Sequence, residues 1–77
     1  MMVYHWTSKE NAIQILKIGL RQWSFICRNS VDWRGEVCLK ISLPYEIDWD
    51  SRDKYYTWQG VVSEKINSSK IKILYYK

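Results

Sequence analysis

With 77 residues the chain can build one hydrophobic core, which excludes two domains with separate cores. Apolar residues make up 47% and charged residues 26%, the composition of a chain that folds rather than one that stays disordered. Twelve basic against eight acidic residues give a net charge of +4, which favours acidic partners and also suffices to keep a small domain soluble.

A domain of this size buries only about 60% of its unfolded surface, so association, including a homo-oligomer, would supplement its stability. Five Trp and six Tyr are more rings than such a core hides, and some are expected at a binding surface. Two cysteines, Cys27 and Cys38, are too few for a disulfide scaffold. They read as reduced thiols, with a bridge between their strands left open. No apolar run approaches the roughly 20 residues of a membrane span, and no secretory pattern is present. The expectation is a cytoplasmic protein with no membrane partner.

In chain order, residues 2–6 read as a first strand, rich in β-branched and aromatic side chains. Thr7-Ser8-Lys9-Glu10 supplies a capping box, in which the Thr7 hydroxyl and the Glu10 carboxylate satisfy each other's amides. The helix that follows spans residues 8–18, with Ala12, Ile13, Leu16 and Leu20 on one face and Ile15 flanking it. Gly19 fits the left-handed position beyond the helix end, with Leu20 folding back.

Residues 22–27 read as a second strand and 28–35 as a loop. In residues 36–43, Val37, Leu39, Ile41 and Leu43 alternate with Glu36, Cys38, Lys40 and Ser42, the pattern of a strand with one buried face. Pro44 closes it. Residues 45–54 have no sustained period and read as loop or a short helical turn. Residues 55–63 form a strand bent at Gly60, residues 66–69 are turn chemistry, and residues 70–76 form a last strand with Ile71, Ile73 and Tyr75 on one face. The fold class is therefore α+β, one amphipathic helix packed on a short, largely antiparallel sheet in a single domain.

Most chemical motifs are missing. There is no glycine-rich phosphate loop and no Cys-x-x-Cys, and a single histidine rules out a multi-histidine metal site, so no metal is expected. A thiol nucleophile built from Cys27 or Cys38 with His5 has no supporting spacing, and structural thiols are the simpler reading.

The informative stretch is Tyr4-His5-Trp6-Thr7-Ser8-Lys9-Glu10-Asn11-Ala12, followed by Ile15-Leu16-Lys17-Ile18-Gly19-Leu20. It resembles the amino-terminal signature of the ADP-ribosyltransferase superfamily, including the RNA 2′-phosphotransferases and DNA-modifying relatives. The match lies in a strand ending in Tyr-His-x-Thr, an Asn at the helix start, and Ile-Leu-x-x-Gly-Leu. Residues 36–44 look like the family's central strand, and 59–63 with 66–71 look like its late strand, turn and final strand.

The resemblance implies a cofactor site in which His5 donates to a ribose hydroxyl and an amide carbonyl of NAD, with Thr7 beside it. Tyr45, Tyr55, Tyr56 and Trp58 are the candidates to stack on nicotinamide. The family's late-strand glutamate falls on Gln59, a neutral amide, with Glu64 the only acidic neighbour, and there is no room for the usual hairpin and helix between Leu20 and the strand at Glu36. These departures imply a reduced, non-catalytic version that needs no cofactor and acts by binding, with a protein as the foremost partner. Small stand-alone chains of this kind suit stoichiometric inhibitors, as in conflict between phages and hosts, which would place the protein in the host cytoplasm.

Two other readings follow from the same residues. An active NAD-dependent transferase would use His5 to bind, with Glu64 or Gln59 near the acceptor. A nucleic-acid-binding module would run Lys65, Lys70, Lys72 and Lys77 along phosphates while Trp33 or Trp49 stacks on bases.

Overall fold

The computed structural model describes residues 1–28, 30, 35–47 and 59–76. Among these residues five strands and one α-helix follow in the order β1 (Met2–Thr7), α1 (Lys9–Ile18), β2 (Phe25–Cys27), β3 (Val37–Ser42), β4 (Gln59–Val61) and β5 (Ile71–Tyr76), with a 3-10 turn at Ser68–Lys70 before β5. The strands form one sheet in the order β4-β2-β1-β3-β5, and every neighbouring pair is antiparallel. The α+β class expected from the sequence is what the described residues form.

β1 is the central strand, paired with β3 along its whole length from Met2↔Ser42 to Thr7↔Val37. Because side chains alternate along a strand, Val3, His5 and Thr7 share one face with Val37, Leu39 and Ile41. That face carries the core. Val3, Ile26, Leu39, Ile41 and Val62 are fully buried, and Ala12, Leu20, Ile66 and Ile71 close around them. Removing this much apolar surface from water is the main stabilising term, at about 25 cal/mol per Å².

The helix begins one residue later than the capping-box reading. Ser8 is the N-cap, its Oγ accepting from the Asn11 amide at 3.2 Å, while Thr7 is still the last residue of β1. Thr7 is held as strand by its pairing with Val37, so its hydroxyl is not the cap. The buried face also rotates: Ala12 is buried, Ile15 and Leu16 pack against the core, and Ile13 is 54% exposed.

The helix ends as expected at Gly19, with φ of 92° and its amide donating to the Ile15 carbonyl at 2.8 Å. A Cβ there would lie 2.3 Å from the Ile66 carbonyl oxygen, so glycine is needed both for its dihedral and for the close approach of the returning chain. Leu20 and Ile66 exchange amide-to-carbonyl bonds at 2.9 Å each and fasten α1 to that return.

Residues 22–24 do not belong to β2, contrary to the strand expected there. Ser24 donates from its amide and its hydroxyl to the Arg21 carbonyl, forming a turn in which Trp23 has φ of 69°. A bulky residue rarely adopts that conformation. It is held by the Trp23 amide donating to Val62 and the Val62 amide donating to Ser24.

β3 follows the expected alternation, with Val37, Leu39, Ile41 and the following Leu43 all buried, but Cys38 on the other face is buried too. The explanation lies in β5. A bulge at Cys38/Leu39 pairs Leu39 with Ile73 and Cys38 with Tyr75, so Leu74 is the extra residue. Ile71 and Ile73 therefore stay on the core face while Tyr75 turns to the opposite one, which corrects the expectation that all three share a face. Trp6, paired with Cys38 from the other side, meets Tyr75 edge-on with ring centroids 5.4 Å apart. The two rings lean together over the small side chain between them.

The same register settles the cysteines. Cys27 pairs with Tyr4 of β1, and Cys38 pairs with Trp6 on the far side of β1. Two strand spacings, about 9.5 Å, separate them, beyond the reach of a disulfide. Both are thiols.

Candidate functional site

α1 packs mainly against β3 and the 3-10 turn. The space it leaves beside β1 is a cleft of ≈ 440 Å³. This is the size of a small-molecule site. Its floor is His5 and Thr7 of β1, one wall is Asn11, Gln14, Ile15 and Ile18 of α1, and the other is Arg21 and Ser24 of the turn. Each wall follows from local sequence: the alternation in β1 puts His5 and Thr7 on the helix side, and the three-residue spacing of Asn11 and Gln14 puts both on one side of α1.

His5 is the best-defined group. Its Nδ1 lies 2.5 Å from the Phe25 carbonyl oxygen. A carbonyl oxygen only accepts, so Nδ1 carries the proton and Nε2 of the neutral ring carries the lone pair. Burial pushes the imidazole below its ordinary range, and the bond to Phe25 opposes that shift only in part. The neutral ring is therefore the form present near pH 7. In this tautomer Nε2 can accept a hydrogen bond from a group in the cleft.

The cleft thus offers one imidazole acceptor, the Thr7 and Ser24 hydroxyls, the Asn11 and Gln14 amides, and the exposed Arg21 guanidinium. These groups suit a polar ligand with hydroxyl groups and an anionic end. Among the described lining residues there is no carboxylate. Among the described residues there is also no group of three or more His, Cys, Asp or Glu that would hold a metal ion.

The other residues singled out from the sequence are dispersed. Gln59 pairs with Cys27, which pairs with Tyr4, so Gln59 faces away from the helix while His5, one residue on from Tyr4, faces toward it. The strand alternation that separates them cannot be undone without reversing the core. Glu64 lies exposed in the bend after β4, outside the cleft lining. Tyr45 is half-buried against the core beyond the opposite end of β3, its hydroxyl buried without a hydrogen-bond partner, and it does not line the cleft.

Lys70 is exposed on the 3-10 turn and Lys72 is exposed on β5. Tyr55, Tyr56, Trp58, Trp33, Trp49 and Lys77 lie outside the described residues. The sequence reading missed Gln14, Arg21 and Ser24 as cleft residues. Gln14 was visible as the polar position three residues from Asn11, whereas Arg21 and Ser24 depend on a turn that was read as strand.

No helix among the described residues is long and apolar enough to cross a membrane. Comparison with protein-family models, with curated proteins and with solved structures gives no match.

Proposed function

We propose that the chain is a non-catalytic binding domain on a reduced form of the ADP-ribosyltransferase-like core. The observation that carries this reading is the composition of the His5 cleft, where hydroxyls, amides, a neutral imidazole and one guanidinium meet without a carboxylate among the described residues. Ribosyl transfer passes through a cation-like centre, and removing its electrostatic partner typically costs about 2.7–4 kcal/mol of barrier. In its finer form the proposal is a stoichiometric inhibitor that docks on a partner protein. Trp23 and Ile18, 64% and 57% exposed beside the cleft, support that form.

The alternative, an active NAD-dependent transferase, draws support from a different observation: His5 opens into a cleft of ligand size. Incubating wild type and His5→Ala with NAD, and detecting ADP-ribosylated products and released nicotinamide by mass spectrometry, separates the two. No turnover above buffer is expected. Wild-type turnover that disappears in His5→Ala would replace the binding reading with the enzymatic one.

A further inference from the structure

β5 ends the sheet on one side: it pairs with β3 along its inner edge, and among the described residues no strand pairs with its outer edge. It is six residues long and so presents an edge of about 20 Å, whereas β4 at the other end of the sheet has three residues. Such an edge, with alternating amides and carbonyls, is a template for a further strand. β5 is anchored from its inner side, where Ile71 is buried in the core and Tyr75 meets the Trp6 ring and donates its hydroxyl to the Ser30 carbonyl.

Two neighbouring side chains on β5 describe what the edge would accept. Ile73 lies on the core face opposite Leu39, yet it is 46% exposed while Leu39 is fully buried and Ile71 is 4% exposed. The helix packs mainly on β3 and the 3-10 turn and leaves this flank of the core open. Lys72, on the other face, is exposed and stands opposite Lys40, and Lys70 is exposed on the turn two residues before it. β5 itself carries no acidic residue.

We propose that the outer edge of β5 takes up an extended acidic segment of a partner protein as an additional strand, with a carboxylate beside Lys72 and an apolar side chain beside Ile73. Because side chains alternate along a strand, these two are consecutive residues of the segment. Main-chain bonds to the edge supply affinity, and the alternating side chains supply specificity. The ladder favours a polypeptide over a nucleic acid, which has no matching row of amides and carbonyls. The charges favour an acidic partner over a second copy, which would bring its own Lys70 and Lys72 and a net charge of +4 to the same edge. Lysine on an edge strand discourages self-pairing, and the same ammonium favours a strand that carries an acid. β5 lies two strands from His5, so this surface stands whichever reading of the cleft holds.

Fluorescence anisotropy with the full chain and a labelled ten-residue peptide of alternating glutamate and valine tests this. The comparators are an alternating lysine and valine peptide, the acidic peptide N-methylated throughout, and unlabelled oligothymidylate as a competitor. Saturable binding of the acidic peptide is expected below about 1 mM, with neither comparator peptide binding. Lys72→Glu should weaken binding roughly twofold to thirtyfold and turn the preference toward the lysine peptide, whereas Lys17→Glu on the helix, with the same change in net charge, should leave affinity unchanged. The β5 amides should exchange more slowly with peptide bound, and those of β4 should not change.

If Lys72→Glu does not fold, the wild-type preference for the acidic over the lysine peptide and for the unmethylated over the methylated one still decides the matter. No saturable binding up to about 1 mM overturns the proposal. So does equal binding of the methylated peptide, equal loss on Lys17→Glu, or displacement by oligothymidylate at matched charge. A wild-type dimer in sedimentation that the acidic peptide fails to dissociate assigns the edge to a second copy and also overturns it.

Discussion

His5 of the central strand donates from Nδ1 to the carbonyl oxygen of Phe25 at 2.5 Å, which ties the cleft floor to β2 and fixes the tautomer of the imidazole. Because burial lowers its pKa, the folded chain takes up this proton at lower pH than the unfolded chain does. Above about pH 6.5 both states are neutral and the group contributes no pH dependence. As the pH falls below that value the unfolded state binds the proton first, so stability declines until the folded-state pKa is reached. The slope contributed by one proton is at most about 1.4 kcal/mol per pH unit. Urea midpoints at several values from about pH 7.5 to 5 should fall on acidification for wild type and fall less for His5→Gln. Parallel curves for the two proteins would show that His5 is not buried in its neutral form.

The start of α1 rests on Ser8, whose hydroxyl accepts from the Asn11 amide. Ser8→Ala should therefore lower stability by roughly 0.5–2 kcal/mol. Thr7→Ala removes a cleft-lining hydroxyl from a strand position and should have the smaller effect on unfolding. Denaturant melts of the two variants in parallel rank the positions, and a larger loss at Thr7 would move the cap back by one residue.

The parts of the fold legible in the sequence were those whose signals are local. The helix body with its end at Gly19 and the alternation of Val37, Leu39, Ile41 and Leu43 each depend on neighbours a few residues away, and both are present, whereas the cap moved from Thr7 to Ser8 because Thr7 is paired in the sheet. The signals that failed depend on contacts distant in sequence. Trp23 departs from strand geometry because its amide bonds to Val62, and Tyr75 changes face because of a bulge against Cys38. In the candidate site, His5 and Thr7 were readable from β1 alone, whereas Arg21 and Ser24 reach the cleft only through that turn. The resemblance put Gln59 at the position of the family's late-strand glutamate, but a resemblance in sequence does not specify a sheet face, and the register turns Gln59 to the face opposite His5.

Gly19→Ala probes the seam between the helix end and the returning chain. The added methyl group would require both a positive φ and an approach of 2.3 Å to the Ile66 carbonyl oxygen, which belongs to backbone and cannot rotate away. Holding a non-glycine residue in such a conformation costs roughly 1–3 kcal/mol, and the overlap with Ile66 adds to that. The amides of Leu20 and Ile66, which bond across this seam, should exchange with solvent deuterium faster in the variant. Unchanged protection of those two amides would mean that the helix end is not fastened there.

Lys72→Glu probes the β3–β5 register on the sheet face opposite the helix. In the β3–β5 register Lys72 stands directly opposite Lys40, and replacing one ammonium by a carboxylate turns a like-charged pair into an opposite-charged one. Cross-strand pairs of that kind are worth roughly 0.2–1 kcal/mol, so the variant should unfold at a higher urea concentration than wild type. Part of the gain comes from exposed charges and should shrink as salt is raised toward 1 M, where the screening length is about 3 Å. Lys72→Gln should lie between the two proteins, because it removes the repulsion without adding the attraction. A urea midpoint that falls on this substitution would mean that Lys40 and Lys72 do not face each other.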